Sequence, residues 1–326
     1  MKKSLMGLTL FVSLVFLLSL MGCSYNGNVE EQVSKQTEME QGNEAVDFPV
    51  TVKDATGKEI TIENIPTRIV SLMPSNTEIL FALGAGSSVV GVTDWDNYPE
   101  EVLEIEKVGG LDFNVEKVLS LEPDLVLANA SGMSNEAGYN QIKDIGIPVV
   151  VVPDATSFTE VFDAISLIGT VVGNETKATE IIKYMEERLA DIKGKASKIS
   201  EEEKKTVWVE VQPQPDIYTT GKGTFMDDML TLINAKNAAS DYEGWVQFTE
   251  EDAIILNPDV IVVTYGFYVE NPTEQVYSRP AWKDVPAIKN KQVFEVDADK
   301  TNRSGPRLIE GVEELASVIY PEVFGE

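Results

Sequence analysis

The sequence contains no histidine, and its 326 residues include a single cysteine. Without imidazole there is no histidine general base, no Ser-His or Cys-His nucleophile and no imidazole metal site. Carboxylates alone remain to hold a hard cation, which disfavours a zinc-type or manganese-type centre. One cysteine excludes an intrachain disulfide. Positive charge is scarce: 26 Lys and Arg stand against 54 Asp and Glu, for a net charge of −28. Such a surface repels phosphate backbones and argues against nucleic acid as a partner. Catalytic patterns are missing as well. Thr220-Gly221-Lys222-Gly223-Thr224 lacks the glycine spacing of a phosphate loop, and no Gly-x-Gly-x-x-Gly follows an expected strand. Glu201-Glu202-Glu203 beside Lys204-Lys205 reads as a solvated charge run.

What is present begins at the N-terminus. Lys2 and Lys3 precede an apolar run from Leu5 to Gly22, the pattern of a secretory signal peptide. The run ends Leu20-Met21-Gly22-Cys23, which resembles the lipobox of bacterial lipoproteins, in which the cysteine is lipidated. An uncleaved membrane anchor is the alternative, and both place the body outside the cytoplasmic membrane. No later segment is long and apolar enough to span a bilayer. Residues 23–47 are polar, without apolar period, and read as a flexible tether.

From residue 48 the sequence alternates short apolar runs with helical patterns, which indicates mainly parallel sheets. Ala178, Ile181, Met185, Leu189, Ile192 and Ala196 recur at steps of three and four. They predict one long helix within Asn174 to Ser200, capped by Asn174 and about 36 Å long at 1.5 Å per residue. The expected organisation is an α/β chain of two Rossmann-like lobes joined by that helix. Residues 48–156 form the first lobe, 157–200 the helical connection and 201–326 the second lobe. Loops are expected at Pro213 to Gly223 and, rich in aromatics, at Trp245 to Phe248.

The two halves share a motif. Glu116 is followed seven residues later by Pro123-Asp124 and the strand Leu125-Val126-Leu127; Glu251 is followed at the same distance by Pro258-Asp259 and Val260-Ile261-Val262. An acid at a helix start also simply complements the helix dipole. Aromatic residues gather in the expected loops: Trp95 and Tyr98 in one half, and Tyr218, Trp245, Phe248, Tyr265, Phe267 and Tyr268 in the other. Loops at strand ends are where open α/β sheets bind ligands, and two facing lobes would form an aromatic-lined cleft.

Arg68-Ile-Val-Ser-Leu-Met-Pro-Ser-Asn-Thr-Glu-Ile-Leu, Val90-Gly-Val-Thr-Asp-Trp, Tyr98-Pro99, Val108-Gly-Gly and Glu122-Pro-Asp-Leu-Val carry a family resemblance. Together they resemble the substrate-binding proteins of ABC importers for cobalamin, ferric siderophores and haem. The resemblance implies a non-enzymatic receptor that clamps its ligand between two lobes with little hinge motion. It also implies that an acid on each lobe, here Glu116 and Glu251, docks on arginines of the permease. Similarity is greatest to the cobalamin-binding branch. It implies ligand contacts from Trp95, Tyr98, Trp245, Phe248, Asp299, Arg303 and the turn beginning at Tyr218. Gly110 stands where cobalamin binders can carry a further aromatic. The basic candidates Lys222, Arg279, Lys300 and Arg303 are few for an anionic siderophore. The expected protein is thus a monomeric receptor, lipid-anchored through Cys23 outside the cytoplasmic membrane. It would deliver cobalamin to an ABC permease and its ATPase subunits, with no catalytic residues, metal or cofactor. A ferric siderophore or haem is the alternative ligand, and a cell-surface α/β enzyme the alternative class.

Overall fold

In the computed structural model, which describes residues 47–325, the chain begins with an antiparallel hairpin, β1 (Val50–Lys53) and β2 (Glu59–Ile62). The signal sequence, Cys23 and nearly all of the tether lie outside the described residues. The Asp54 carboxylate closes the hairpin turn by accepting the N–H groups of Thr56 and Lys58 at 2.9 and 3.2 Å.

The first half is built on β3 (Ile69–Ser71), β4 (Val89–Val92), β5 (Glu106–Lys107), β6 (Leu125–Asn129) and β7 (Val149–Val152). They form one sheet in the order β5-β4-β3-β6-β7, and every neighbouring pair is parallel. Strands such as Val149–Val152 are buried along their whole length, as a sheet covered on both faces requires. The helices are α1 (Pro74–Ala82), α2 (Val115–Ser120), α3 (Glu136–Asp144) and α4 (Phe158–Val171). Pro74 opens α1, where its missing N–H costs nothing. Ser157 caps α4 by accepting from Glu160 N–H, and Glu160 reaches back to Thr156 rather than to Ser157 itself.

The long helix is α5 (Glu175–Ala196), 22 residues or about 33 Å. Asn174 does stand at its N-cap position, but its side chain does not cap it; the amide donates instead to the Leu83 carbonyl at 2.9 Å, tying α5 to the end of α1. Gly169 lets α4 and α5 touch, since a Cβ there would lie 2.6 Å from the Ala178 Cβ.

The second half contains β8 (Thr206–Gln212), β9 (Ile217–Thr220), β10 (Lys236–Asn237), β11 (Trp245–Phe248), β12 (Val260–Val263) and β13 (Val293–Glu295). Its helices are α6 (Phe225–Leu232), α7 (Glu250–Ile255), α8 (Pro272–Tyr277), α9 (Pro286–Lys289), α10 (Ala298–Asn302), α11 (Leu308–Ile319) and α12 (Pro321–Phe324). This sheet is mixed, mainly parallel as expected, with β10 also parallel to β8. β8, β12 and β13 are parallel, but β9 pairs antiparallel with β8 and with β11. Both antiparallel strands fall where loops were expected. Ile217-Tyr-Thr-Thr and Trp245-Val-Gln-Phe are β-branched and aromatic runs, and Trp245–Phe248 leaves Trp245 exposed and buries Phe248.

Three hydrophobic clusters explain why the two halves act as one body. One fills the outer face of the first sheet, around Val70, Val126 and Ile142. Another fills the outer face of the second, around Trp208, Ile261 and Trp282. The third is continuous between the halves: Ile69, Leu127 and Ile165 on one side and Val207, Val262 and Leu315 on the other, with Met185, Leu189 and Ile192 of α5 between them. The described residues accordingly belong to a single compact unit. Swinging one sheet away from the other would expose this shared core to water.

Candidate ligand-binding site

The internal repeat has a structural basis at a constant offset. Asn114 and Thr249 cap α2 and α7, accepting from the N–H groups of Lys117 and Asp252. Glu122 and Asn257 then take left-handed backbone conformations, with φ of 47° and 49°, and turn the chain back toward the sheet. Asp124 N–H donates to the Arg68 carbonyl at 2.9 Å while the Asp124 carboxylate accepts Arg68 N–H at 2.9 Å. Asp259 repeats the exchange with Thr206, at 2.8 and 2.9 Å. Each aspartate thus aligns the starts of two adjacent strands, β3 with β6 and β8 with β12. Since caps and strand alignment are supplied by other residues, Glu116 and Glu251 are left exposed in the first turns of their helices. Among the described residues neither carboxylate accepts a hydrogen bond from a side chain or backbone.

The strands of the first sheet all point one way, and the loops at their carboxyl ends meet the second half across a cavity of about 690 Å³. Met73–Ser75 follow β3, Trp95 follows β4, Asn129 and Ser131 end β6, and Asp154–Thr156 follow β7. The second half contributes Gly223–Phe225, Gly244, Trp245 and Asn302–Ser304. Trp95 and Trp245 are 50% and 60% exposed, one from each half, and both border this cavity. The Trp95 indole lies on Gly110, where a Cβ would come within 2.9 Å of the ring. The open position at Gly110 is therefore filled by Trp95 itself.

Beneath Trp95 a polar network joins the halves. Glu78 of α1, only 3% exposed, accepts from Arg303 at 3.0 Å and from Arg307 at 2.9 and 2.7 Å. Arg303 also donates to Asn97 Oδ1 at 2.7 Å and to the Trp95 carbonyl at 3.2 Å, and pairs with Asp299 at 2.9 Å. Asn97 returns a bond to Asp299 at 2.8 Å. The Trp95 loop is further held by Asp96, whose carboxylate accepts the Thr93 N–H at 2.8 Å and the Thr93 hydroxyl at 2.5 Å. Burial pushes the Asp96 carboxyl above its ordinary value, and its hydrogen bonds from Thr93 and the nearby Lys107 charge only partly offset this. Arg303 and Asp154 are the charged residues on the cavity wall, and Arg303 is neutralised by Glu78 and Asp299.

The remaining expected contacts fall elsewhere. Tyr98 is outside this cavity; its ring lies under the Arg307 guanidinium at 3.8 Å and borders a separate groove along α5. Tyr218 is half-buried on β9, in register with Gln247. Phe248 is 6% exposed and packs edge-on against Trp208 in the core, because the pleat of β11 turns it opposite to Trp245. Asp299 serves the bridge to Arg303 and faces a neighbouring cavity. Arg279 is not available to an anion: it is buried against Glu210, which also receives the Tyr265 hydroxyl at 2.7 Å. Lys222 is exposed away from the cavity wall, and Lys300 pairs with Glu310. Sequence reasoning missed Glu78 and Arg307, whose only signal is a glutamate amid the apolar positions of α1 and an arginine just before α11.

Two α/β halves on a shared core, with a cleft between their loops, define a solute-binding protein. Residues 69–300 match the periplasmic binding protein family, and the chain belongs to that family. An uncharacterized ABC transporter substrate-binding lipoprotein of Bacillus subtilis, YvrC, is 52% identical over 308 residues, 94% of this chain and 95% of that one. A possible iron-binding, periplasmic solute-binding protein from Staphylococcus epidermidis superposes with a TM-score of 0.70 at 35% identity, covering 79% of this chain and 100% of that one. The periplasmic vitamin B12-binding protein BtuF of Vibrio cholerae superposes at 0.68 with 25% identity, covering 79% and 98%. The chain is the substrate-binding component of an ABC importer, of the group whose members bind cobalamin, siderophores or haem. Such proteins are extracytoplasmic receptors rather than enzymes, and work with a permease and an ATPase. No helix among the described residues is long and apolar enough to cross a membrane.

Proposed function

We propose that this receptor captures a corrinoid, cobalamin, between its halves and delivers it to the permease. The observation that carries the reading is the cleft wall: two exposed tryptophans, one from each half, with Asp154 and one arginine, already neutralised, as its charged residues. A bulky ligand with little net charge suits such a wall, because its apolar faces stack on indole while no unpaired cation is required. The vitamin B12-binding protein of Vibrio cholerae among its structural neighbours supports the same ligand. Lipid attachment at Cys23 would hold the receptor on the outer face of the cytoplasmic membrane, in keeping with the lipoprotein relative. Glu116 and Glu251, unengaged and equivalent in the two halves, would meet basic residues of the permease.

Calorimetry with cyanocobalamin tests the ligand. Saturable binding at micromolar protein is expected; absence of both heat and competition removes the corrinoid reading. The second reading keeps the receptor and exchanges the ligand for a ferric siderophore or haem. It is favoured by the 35% identical Staphylococcus epidermidis protein, whose name gives it as possibly iron-binding. Quenching of Trp95 and Trp245 fluorescence across siderophores and haem separates the two.

A further inference from the structure

The wall of the cleft does not balance its own charge. Its charged residues are Arg303 and Asp154. Arg303 belongs to a closed network in which two acids, Glu78 and Asp299, meet two cations, Arg303 and Arg307. That network sums to zero. Asp154 stands outside it. It is exposed, and among the described residues its carboxylate neither accepts a hydrogen bond nor pairs with a cation. Whatever fills the cleft therefore meets one uncompensated negative charge.

The chain anchors the loop that carries this charge. Asp154 follows β7, where the carboxyl ends of the first sheet open into the cleft. On one side Val151 is buried, and its carbonyl accepts the Ala55 N–H at 2.8 Å. On the other side Ala155 is buried, and the Thr156 N–H and hydroxyl donate to Glu160 at 2.6 and 2.9 Å. A side chain on a loop pinned at both ends needs little reorganisation to act on a ligand. The cap of α4 does not use it, since Ser157 supplies that cap.

We propose that Asp154 sets the charge preference of the cleft, favouring a corrinoid with a net positive charge over a neutral one of nearly the same shape. The inference rests on the corrinoid reading above. Cobalt corrinoids offer this choice at the upper axial position: with water bound the molecule is a cation, and with cyanide bound it is neutral. In a cavity of about 690 Å³ a charge held inside lies near the wall. A unit charge roughly 8 Å from the carboxylate, at an effective dielectric of about 40, binds about fivefold more tightly. Acids elsewhere on the surface act through solvent, and salt screens them beyond a Debye length of about 8 Å.

The test is calorimetry on the full chain at physiological salt, with aquacobalamin and cyanocobalamin, below and above the pH at which the cobalt-bound water loses its proton. Below it, wild type should bind aquacobalamin about fivefold more tightly than cyanocobalamin. Above it, hydroxide makes both ligands neutral, and their affinities should agree within about twofold. Asp154→Asn keeps the shape and removes the charge, so the preference below that pH should shrink to within about twofold. Asp163→Asn, exposed on α4 and away from the cavity wall, should leave it at about fivefold. The visible spectrum of the bound ligand should remain that of aquacobalamin, because the attraction acts through space and the water stays on cobalt. Equal affinities in wild type, a preference that survives in Asp154→Asn, or a spectrum showing the water displaced by a protein group overturns this role of Asp154 and leaves the corrinoid reading standing. Failure of cyanocobalamin to bind wild type overturns both.

Discussion

Glu78 of the first half and Arg307 of the second meet through two hydrogen bonds, 2.9 and 2.7 Å, and Arg303 adds a third at 3.0 Å to the same carboxylate. One buried acid thereby fixes two cations beneath the cleft and holds the Trp95 loop against the second half. Removing it leaves Arg307 without its ion-pair partner, while Arg303 keeps only Asp299. Breaking a fully enclosed pair costs about 3–5 kcal/mol. Arg303 and Arg307 keep 15% and 13% of their side-chain exposure, so solvent screens part of that cost. Glu78→Ala should therefore lower unfolding stability by about 2–3 kcal/mol, and Glu78→Gln by less. Urea denaturation measures both; a loss under about 0.5 kcal/mol would make the pair irrelevant to stability.

The cleft tryptophans should behave in the opposite way. Both are half or more exposed, so Trp95→Ala and Trp245→Ala should leave unfolding midpoints nearly unchanged. Each should weaken ligand binding by more than about 1 kcal/mol, the scale of a stacked aromatic contact. Phe248→Ala should do the reverse, costing about 3–5 kcal/mol of stability as a large core truncation. Calorimetry and urea melts on the same three variants separate ring from core. Unaltered ligand affinity in both tryptophan variants would remove them from the site.

The contrast between Trp245 and Phe248 shows how far the sequence could be read. Apolar stripes and runs located the long helix, the parallel strands and the Pro-Asp repeat, because each is set by local periodicity. Trp95 and Trp245 are legible as loop-borne aromatics, although Trp245 in fact opens β11. The pairing of β9 with β11 was not, because Pro and Gly around short β-branched runs mark a loop and an edge strand alike. Arg279 reads from sequence as a pocket cation, but Glu210, distant in sequence, pairs with it in the core. Charge partners more than two hundred residues apart, such as Glu78 and Arg303, leave no local trace.

Docking predicts a separation of two measurements. Asn114 and Thr249 already cap the helices that carry Glu116 and Glu251, so Glu116→Ala with Glu251→Ala should cost little stability, about 0.5 kcal/mol per helix dipole contact. Ligand affinity should be intact, since neither residue borders the cleft cavity. Uptake in cells should fall, because each half would lose the carboxylate offered to the permease. Undiminished uptake by the double variant would reduce both acids to dipole partners.

Asp96 gives the pH dependence its sign. Its carboxyl is raised in the folded chain, first by burial, so the folded state holds this proton more tightly than the unfolded state does. Stability from this group is full below the ordinary aspartate value and is lost as pH rises through the raised one. Asp96→Asn keeps an oxygen to accept the Thr93 N–H and carries no charge at any pH. The variant's stability relative to wild type should therefore climb as pH rises across that window and level off above it. Urea midpoints of the two proteins, taken side by side from mildly acidic to neutral pH, measure the difference. A difference that stays constant would mean that the buried Asp96 titrates as it does in the unfolded chain.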